Sequence, residues 1–200
     1  MSQTEIDKTQ YHSEHLNNIN AAQAALSSVA FDDCELKHSD FSECVFQQCQ
    51  FIECTFLDCN FSLAKFNDCK FVDCTFLRCK LIGVDWTRVA WSQYVFQSPI
   101  NLEQCILNDA SFFGLNLNEM MIKDCKLHDV DFQEASLVEA DFSGSDCLNS
   151  LFKQTNLSQA NFTDAINYNI NVFDNRVKGA KFSRHEAINL LRHLDIELVD

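Results

Sequence analysis

The chain has 200 residues, 46% of them hydrophobic, 12% aromatic and 22% charged, with eleven cysteines, four glycines and one proline. A formal net charge of −14 and a pI near 4.7 argue against direct contact with nucleic acid or an anionic membrane. No run of about 18 apolar residues occurs and the opening MSQTEIDKTQ has no apolar signal region, so a soluble, cytoplasmic protein without a membrane span is expected.

Residues 1–10 read as a polar tail. From Tyr11 a period of five sets in through Leu16, Ala21 and Leu26. Glu14 and Ala21 fit it poorly, which predicts an irregular cap over the start. From Phe31 to Phe96 every fifth residue is Phe, Leu or Trp, and two residues earlier stands, with few exceptions, Cys, Ala, Ser or Val. Such a period suits neither standard element. On a helix, residues five apart are about 140° out of line at 3.6 per turn; on a long strand alternate rings would face opposite ways. Pairs such as Cys44/Phe46 and Cys49/Phe51 do share one face of a short extended piece. The remaining residues must then turn a corner that brings the next pair inward. The result is a coil with flat sides, one pentapeptide per side, its turns hydrogen-bonded at about 4.8 Å.

Ten cysteines occupy the small position two before the ring: Cys34, Cys44, Cys49, Cys54, Cys59, Cys69, Cys74, Cys79, Cys105 and Cys125; Cys147 takes a central one. They interchange with Ala, Ser and Val and form no CxxC pair, which reads as buried filling rather than metal ligation or a disulfide framework. Ile52, Leu57, Val72, Leu77 and Ile82 follow central residues directly and predict an apolar patch on two adjacent sides, for the N-terminal segment or a partner to cover.

Between Phe96 and Leu107 the spacing is eleven instead of ten. Gln97-Ser98-Pro99 supplies one extra residue, and a register break is expected over 97–106, between a first part at 11–96 and a second at 107–182. Trp86 and Trp91, just before it, read as large core fillers. Carboxylates recur two residues after the ring: Asp33, Glu43, Glu53, Asp58, Asp68, Asp73, Asp109, Glu119, Asp124, Asp129, Glu134, Glu139 and Asp164. After Phe182 the period becomes helical. Ser183 and Glu186 have capping-box spacing, Ala187, Leu190, Leu191 and Leu194 follow a helical row, and Ile196 and Leu198 alternate. The segment 183–200 thus reads as a cap with an apolar row able to join two copies about a two-fold axis.

The stretch FSECVFQQCQFIECTFLDCNF at 41–61 resembles the A/C-D/N-L/F-x-x motif of the pentapeptide-repeat family. That resemblance covers about residues 11–182. It implies an all-β, right-handed quadrilateral β-helix with four pentapeptides to the coil and eight to nine coils, here followed by a short C-terminal α-helix. Stacking four pentapeptides apart aligns Asp33, Glu53 and Asp73 outward, and likewise Glu119 with Glu139 and Asp109 with Asp129. The segment at 106–115 (ILNDASFFGL), the NYNI at 167–170 and the LDIEL ending are similar to the topoisomerase-protecting members, of the quinolone-resistance and albicidin-resistance type.

No histidine stands at ligand spacing with Cys or carboxylate, and no phosphate loop or nucleophile turn is present, so neither catalysis nor a metal or cofactor is expected. The resemblance implies a homodimer, joined through Ala187, Leu190, Leu191, Leu194, Ile196 and Leu198, that imitates DNA. Its acidic surface would occupy DNA gyrase or topoisomerase IV and so protect the enzyme from drugs or toxins. The candidate contact residues are Asp124, Asp129, Glu134, Glu139, Asp141, Asp146 and Asp164. Many quinolone-resistance members carry long loops, for which a single extra residue leaves no room. A scaffold that binds an unrelated protein through its apolar patch is the competing reading.

Overall fold

A computed structural model describes residues 6–91, 99–194 and 196. The chain winds as a right-handed solenoid of about eight turns with four flat faces. Short strands and single bridges pair in parallel register one coil apart: Tyr11 on Phe31, Leu16 on Leu36, Asn20 on Asp40 and Leu26 on Phe46. The first coil is therefore regular from Gln10 onward, not the irregular cap expected of it. Glu14 is accommodated because its carboxylate lies 3.2 Å from Lys8 Nζ, and Ile6 packs on the core above Tyr11.

Inside, each ring sits on the ring one coil below. On the first face Tyr11, Phe31, Phe51 and Phe71 stack at 5.0, 5.3 and 4.8 Å between centroids. On the fourth, Phe46, Phe66, Trp86, Phe112, Phe132 and Phe152 stack without interruption. Rings on adjacent faces meet edge to face, as Phe56 meets Phe61 at 89°. These rings thus have offset neighbours along the rod and edge contacts across it, the two arrangements an aromatic quadrupole favours.

The small position has a further task. At tight corners its N–H donates to the central carbonyl three residues back, as Ala64 does to Phe61 at 3.0 Å. At open corners that N–H points along the rod to the side chain at the same position one coil on. Ile19 N donates to Ser39 Oγ, Cys105 N to Cys125 Sγ and Thr155 N to Asn175 Oδ1. Side chains at this position donate in turn to a carbonyl of the preceding coil, Cys54 to Phe31 O and Ser145 to Ile122 O. A small side chain that both accepts and donates satisfies buried backbone groups that the ladder leaves over.

The register break is larger than its spacing implies. Thr75 pairs with Thr55, one regular coil back, but Cys74 pairs with Ile100 and Lys80 with Ile106, each six positions beyond the regular partner. One coil is therefore six residues too long. The surplus falls between Ala90, whose N–H still donates to Cys69 O, and Pro99, whose carbonyl accepts from Cys74 N. Ile100–Glu103 is already a solenoid strand, so the break expected over 97–106 does not extend past Pro99. Trp91 is half-buried with Nε1 donating to Trp86 O at 2.7 Å; Phe96 and Gln97-Ser98 lie outside the described residues.

The last coil is also irregular, for Phe152 bridges Ile170, two positions short of the regular partner. Tyr168 enters the core in place of Asn167. The terminal helix spans Glu186–His193 and is of the 3-10 type rather than α. The expected capping box does not form. Ser183 Oγ accepts from Asp164 N instead, and the Glu186 carboxylate accepts from Asn167 N and Asn189 Nδ2. Both residues tie the helix to the last corners of the solenoid.

Candidate functional site

Nearly every corner turns on a residue with φ between 49° and 61°, or on a glycine. This left-handed conformation throws the side chain outward and stacks it on its counterpart one coil away. After the first face the corner column runs Ser13, Asp33, Glu53, Asp73 and, beyond the break, Glu119, Glu139 and Gln159. Its ends are tied to the acids by Ser13 Oγ donating to Asp33 at 2.7 Å and Gln159 Nε2 to Glu139 at 3.2 Å. Asp enters the left-handed region readily, and its presence at a corner has a conformational cause. Glu has no such advantage. Glu43, Glu53, Glu119, Glu134 and Glu139 are therefore not explained by the turn, and Gln23, Gln48, Gln104, Gln154 and Gln159 share such corners with them.

The seven candidate contact residues do not gather on one face. Asp124 and Asp164 share the corner after the second face, on either side of Gly144. Asp129 stands with Asp109 on the corner after the third. Glu134 lies on the fourth corner and Glu139 on the first. Asp124, Asp129, Glu134, Glu139 and Asp164 are exposed, whereas Asp141 and Asp146 are half-buried and already engaged. Asp141 accepts from Ser143 N and Asn161 Nδ2 and lies 3.0 Å from Lys123 Nζ. Burial works against its ionised form, but the bonds from Ser143 and Lys123 hold its carboxyl below the usual range. Asp146 behaves alike: burial opposes, while Asn167 and His128 hold it low. These two are struts more than free charges.

Linear spacing hid several ion pairs because their partners lie one coil apart. His12 approaches Asp32 and His15 approaches Glu35, each at 2.9 Å; His128 lies 2.8 Å from Asp146. The Arg78 guanidinium forks onto Asp58 at 2.8 and 3.0 Å and lowers its pKa. The apolar patch is real: Ile52 pairs with Val72 and Leu57 with Leu77. Val72 is 44% exposed. The described N-terminal segment does not cover it, since Asp7 and Lys8 donate to Tyr11 Oη above the first coil.

At the C-terminal end Leu190 packs on the core, and Ala187, Leu191 and Leu194 are half-buried. Ile196 is exposed, and Leu198 lies outside the described residues. Ile188, which the helical row passes over, is 53% exposed beside Leu191, Arg192 and Ile196. A cleft of about 660 Å³ separates this helix from the last coils, with Leu148, Leu151, Lys153, Asn169, Arg192 and His193 among its walls. Ser150 also lines it, but its hydroxyl donates to Leu127 O, and His193 bonds Asn169. All eleven cysteines are buried and free, and burial pushes the Cys44 thiol up to about 12. Among the described residues no three or more His, Cys, Asp or Glu are grouped to hold a metal ion, and no helix is long and apolar enough to cross a membrane.

The model of the pentapeptide repeat region matches residues 29–99 and 84–162, more than half of the chain. The protein belongs to the pentapeptide-repeat family. Among solved structures it is similar to full-length QnrB1, a plasmid-mediated fluoroquinolone resistance protein, at 18% identity and a TM-score of 0.69 over 96% of this chain and 95% of that one. It is also similar to HetL, a pentapeptide repeat protein involved in heterocyst differentiation regulation from the cyanobacterium Nostoc sp. strain PCC 7120. That match has 18% identity and a TM-score of 0.58 over 86% of this chain and 84% of that one. At such identities the likeness is one of fold. No curated protein matches the sequence.

Proposed function

We propose that this protein is a cytoplasmic homodimer that binds a type II topoisomerase, DNA gyrase or topoisomerase IV, as a mimic of duplex DNA. In doing so it protects the enzyme from quinolones or gyrase-directed toxins. It acts by binding and not by catalysis. The observation that carries the reading is the corner column Asp33, Glu53 and Asp73 before the long coil and Glu119 and Glu139 after it, each turned outward one coil from the next within its part. Duplex DNA is likewise recognised as a regular line of negative charge by basic grooves. The fold shared with a fluoroquinolone resistance protein agrees with it.

The test is a supercoiling assay with purified gyrase. Wild-type protein is expected to inhibit, and to restore activity in the presence of ciprofloxacin. The double reversal Glu119→Lys and Glu139→Lys should remove both effects while leaving the far-ultraviolet circular dichroism unchanged. Unchanged inhibition would reject the column as the contact surface. The exposed Val72 over Ile52, with Leu77 over Leu57 on the adjacent face, favours a second reading, a scaffold for an unrelated protein. A partner held there would bind almost independently of salt, whereas topoisomerase binding should weaken steeply as salt rises.

A further inference from the structure

Cys59, Cys79, Cys105 and Cys125 occupy the same small position on four successive coils, between Ser39 above and Ser145 below. All four are 2% exposed or less. They share one environment: each sulfur has two carbonyls within reach of its single S–H, the one two residues back and one on the preceding coil, Leu36, Phe56, Phe76 and Leu102 in turn. Identical placement makes the sulfurs a straight line at the coil spacing of about 4.8 Å. Cys79 N and Cys105 N donate to the sulfurs of Cys105 and Cys125, each at 3.4 Å.

We propose that this interior column is a binding site for thiophilic divalent cations that take two sulfurs in line, mercury(II) being the type. Metal–sulfur bonds near 2.3 Å laid end to end span about 4.6 Å, which the existing spacing meets almost without movement. A disulfide needs the sulfurs at about 2.05 Å; closing that distance would pull apart a packed core. Tetrahedral ions such as zinc lack ligands, since no cluster of three or more is present among the described residues. Charge selects further. Two thiolates and a divalent ion make a neutral unit that a dry core tolerates, whereas a monovalent ion would leave a buried negative charge. The backbone N–H groups that point at Cys105 and Cys125 remain as donors to the thiolates.

The step is an exchange and not a redox reaction. Two Cys–SH and one Hg²⁺ give Cys–S–Hg–S–Cys and release two protons. Burial in an apolar core favours the neutral thiol, so two protons are expected to leave for each ion bound at neutral pH. The four sulfurs hold two ions, at Cys59–Cys79 and at Cys105–Cys125. Entry requires a coil to open, which makes uptake slow.

Adjacency supplies the test. The reduced full chain is titrated with mercuric chloride, counting linear two-sulfur mercury by X-ray absorption and protons by pH-stat. Serine already stands at both ends of this column, so serine variants retain the fold. Cys79→Ser with Cys125→Ser leaves no adjacent pair in this column, while Cys34/Cys54/Cys74 and Cys49/Cys69 on other faces are untouched, and should lose two such ions relative to wild type. Cys59→Ser with Cys125→Ser removes as many thiols but keeps Cys79 beside Cys105, and should lose one. Should the first pair fold poorly, Cys59→Ser with Cys105→Ser breaks the same adjacencies. Equal losses in the two kinds of variant, a coordination other than two sulfurs, or uptake only with loss of the far-ultraviolet signal would each overturn the proposal.

Discussion

At the scale of single residues, the interior and the corners obey different constraints. Phe132 is fully buried, with Phe112 and Phe152 stacked on its two sides at 5.3 and 5.2 Å. Phe132→Ala removes the ring and leaves a void that the coils above and below cannot close, at a cost of about 3–5 kcal/mol, measurable as a fall in the urea midpoint. Gly144 is a corner glycine at φ +71°, and a Cβ there would lie 2.1 Å from Asp124 Oδ1. Gly144→Ala should cost about 1–2 kcal/mol from the left-handed backbone alone and also push the Asp124 carboxylate aside. Besides Glu35, Asp58 and Asp85, whose partners also hold them low, Asp141 and Asp146 contribute to the pH dependence. Their folded pKa values lie below the ordinary 3.8, so their stabilisation is complete above that pH and is lost as pH falls through the depressed values. Denaturation midpoints should therefore drop below about pH 4, and Asp146→Asn should flatten that drop.

At the scale of elements, the pentapeptide was legible because its five residues do separable work. The ring fills the core, the small residue serves leftover backbone groups, and the corner residue turns and points outward. The rest was hidden for physical reasons. An insertion of six and an insertion of one are the same shift in a lattice of five, so Trp91 and Phe96 keep the period while the long coil departs from it. The linear sequence likewise could not show that Ser183 and Glu186 would bond the solenoid and not cap the helix, because their partners Asp164 and Asn167 stand one coil back. The long coil yields a prediction. Deleting Ser92 through Gln97 restores the regular coil length between Cys74 and Ile100, and the flanking ladder is already in register. The shortened protein should fold with a thermal midpoint within a few degrees of wild type, since loop length changes closure entropy only slowly. A collapse of the midpoint would mean that the extra residues hold the coils together.

At the scale of the whole molecule, a rod in which each coil touches only its neighbours depends on how its ends are closed. The N-terminal end is closed by Ile6 and the bonds to Tyr11 Oη. The C-terminal end is closed by Leu190 and the Glu186–Asn189 pair, which leaves Ile188, on the same helix, and Ile196 just after it facing outward. The two kinds of apolar position should therefore separate stability from association. Leu190→Ala strips the cap from the last coil and should lower the thermal midpoint. Ile188→Glu places a charge on a side chain that the protomer does not need, and should turn the proposed dimer into a monomer in sedimentation velocity with the midpoint unchanged. The distinction also bears on the proposed topoisomerase binding. Two rods joined at this end would double the length of the line of charge, so monomeric Ile188→Glu should inhibit supercoiling less at a given salt concentration and with a shallower dependence on salt. If Ile188→Glu remains dimeric, the exposed face of the terminal helix is not the interface.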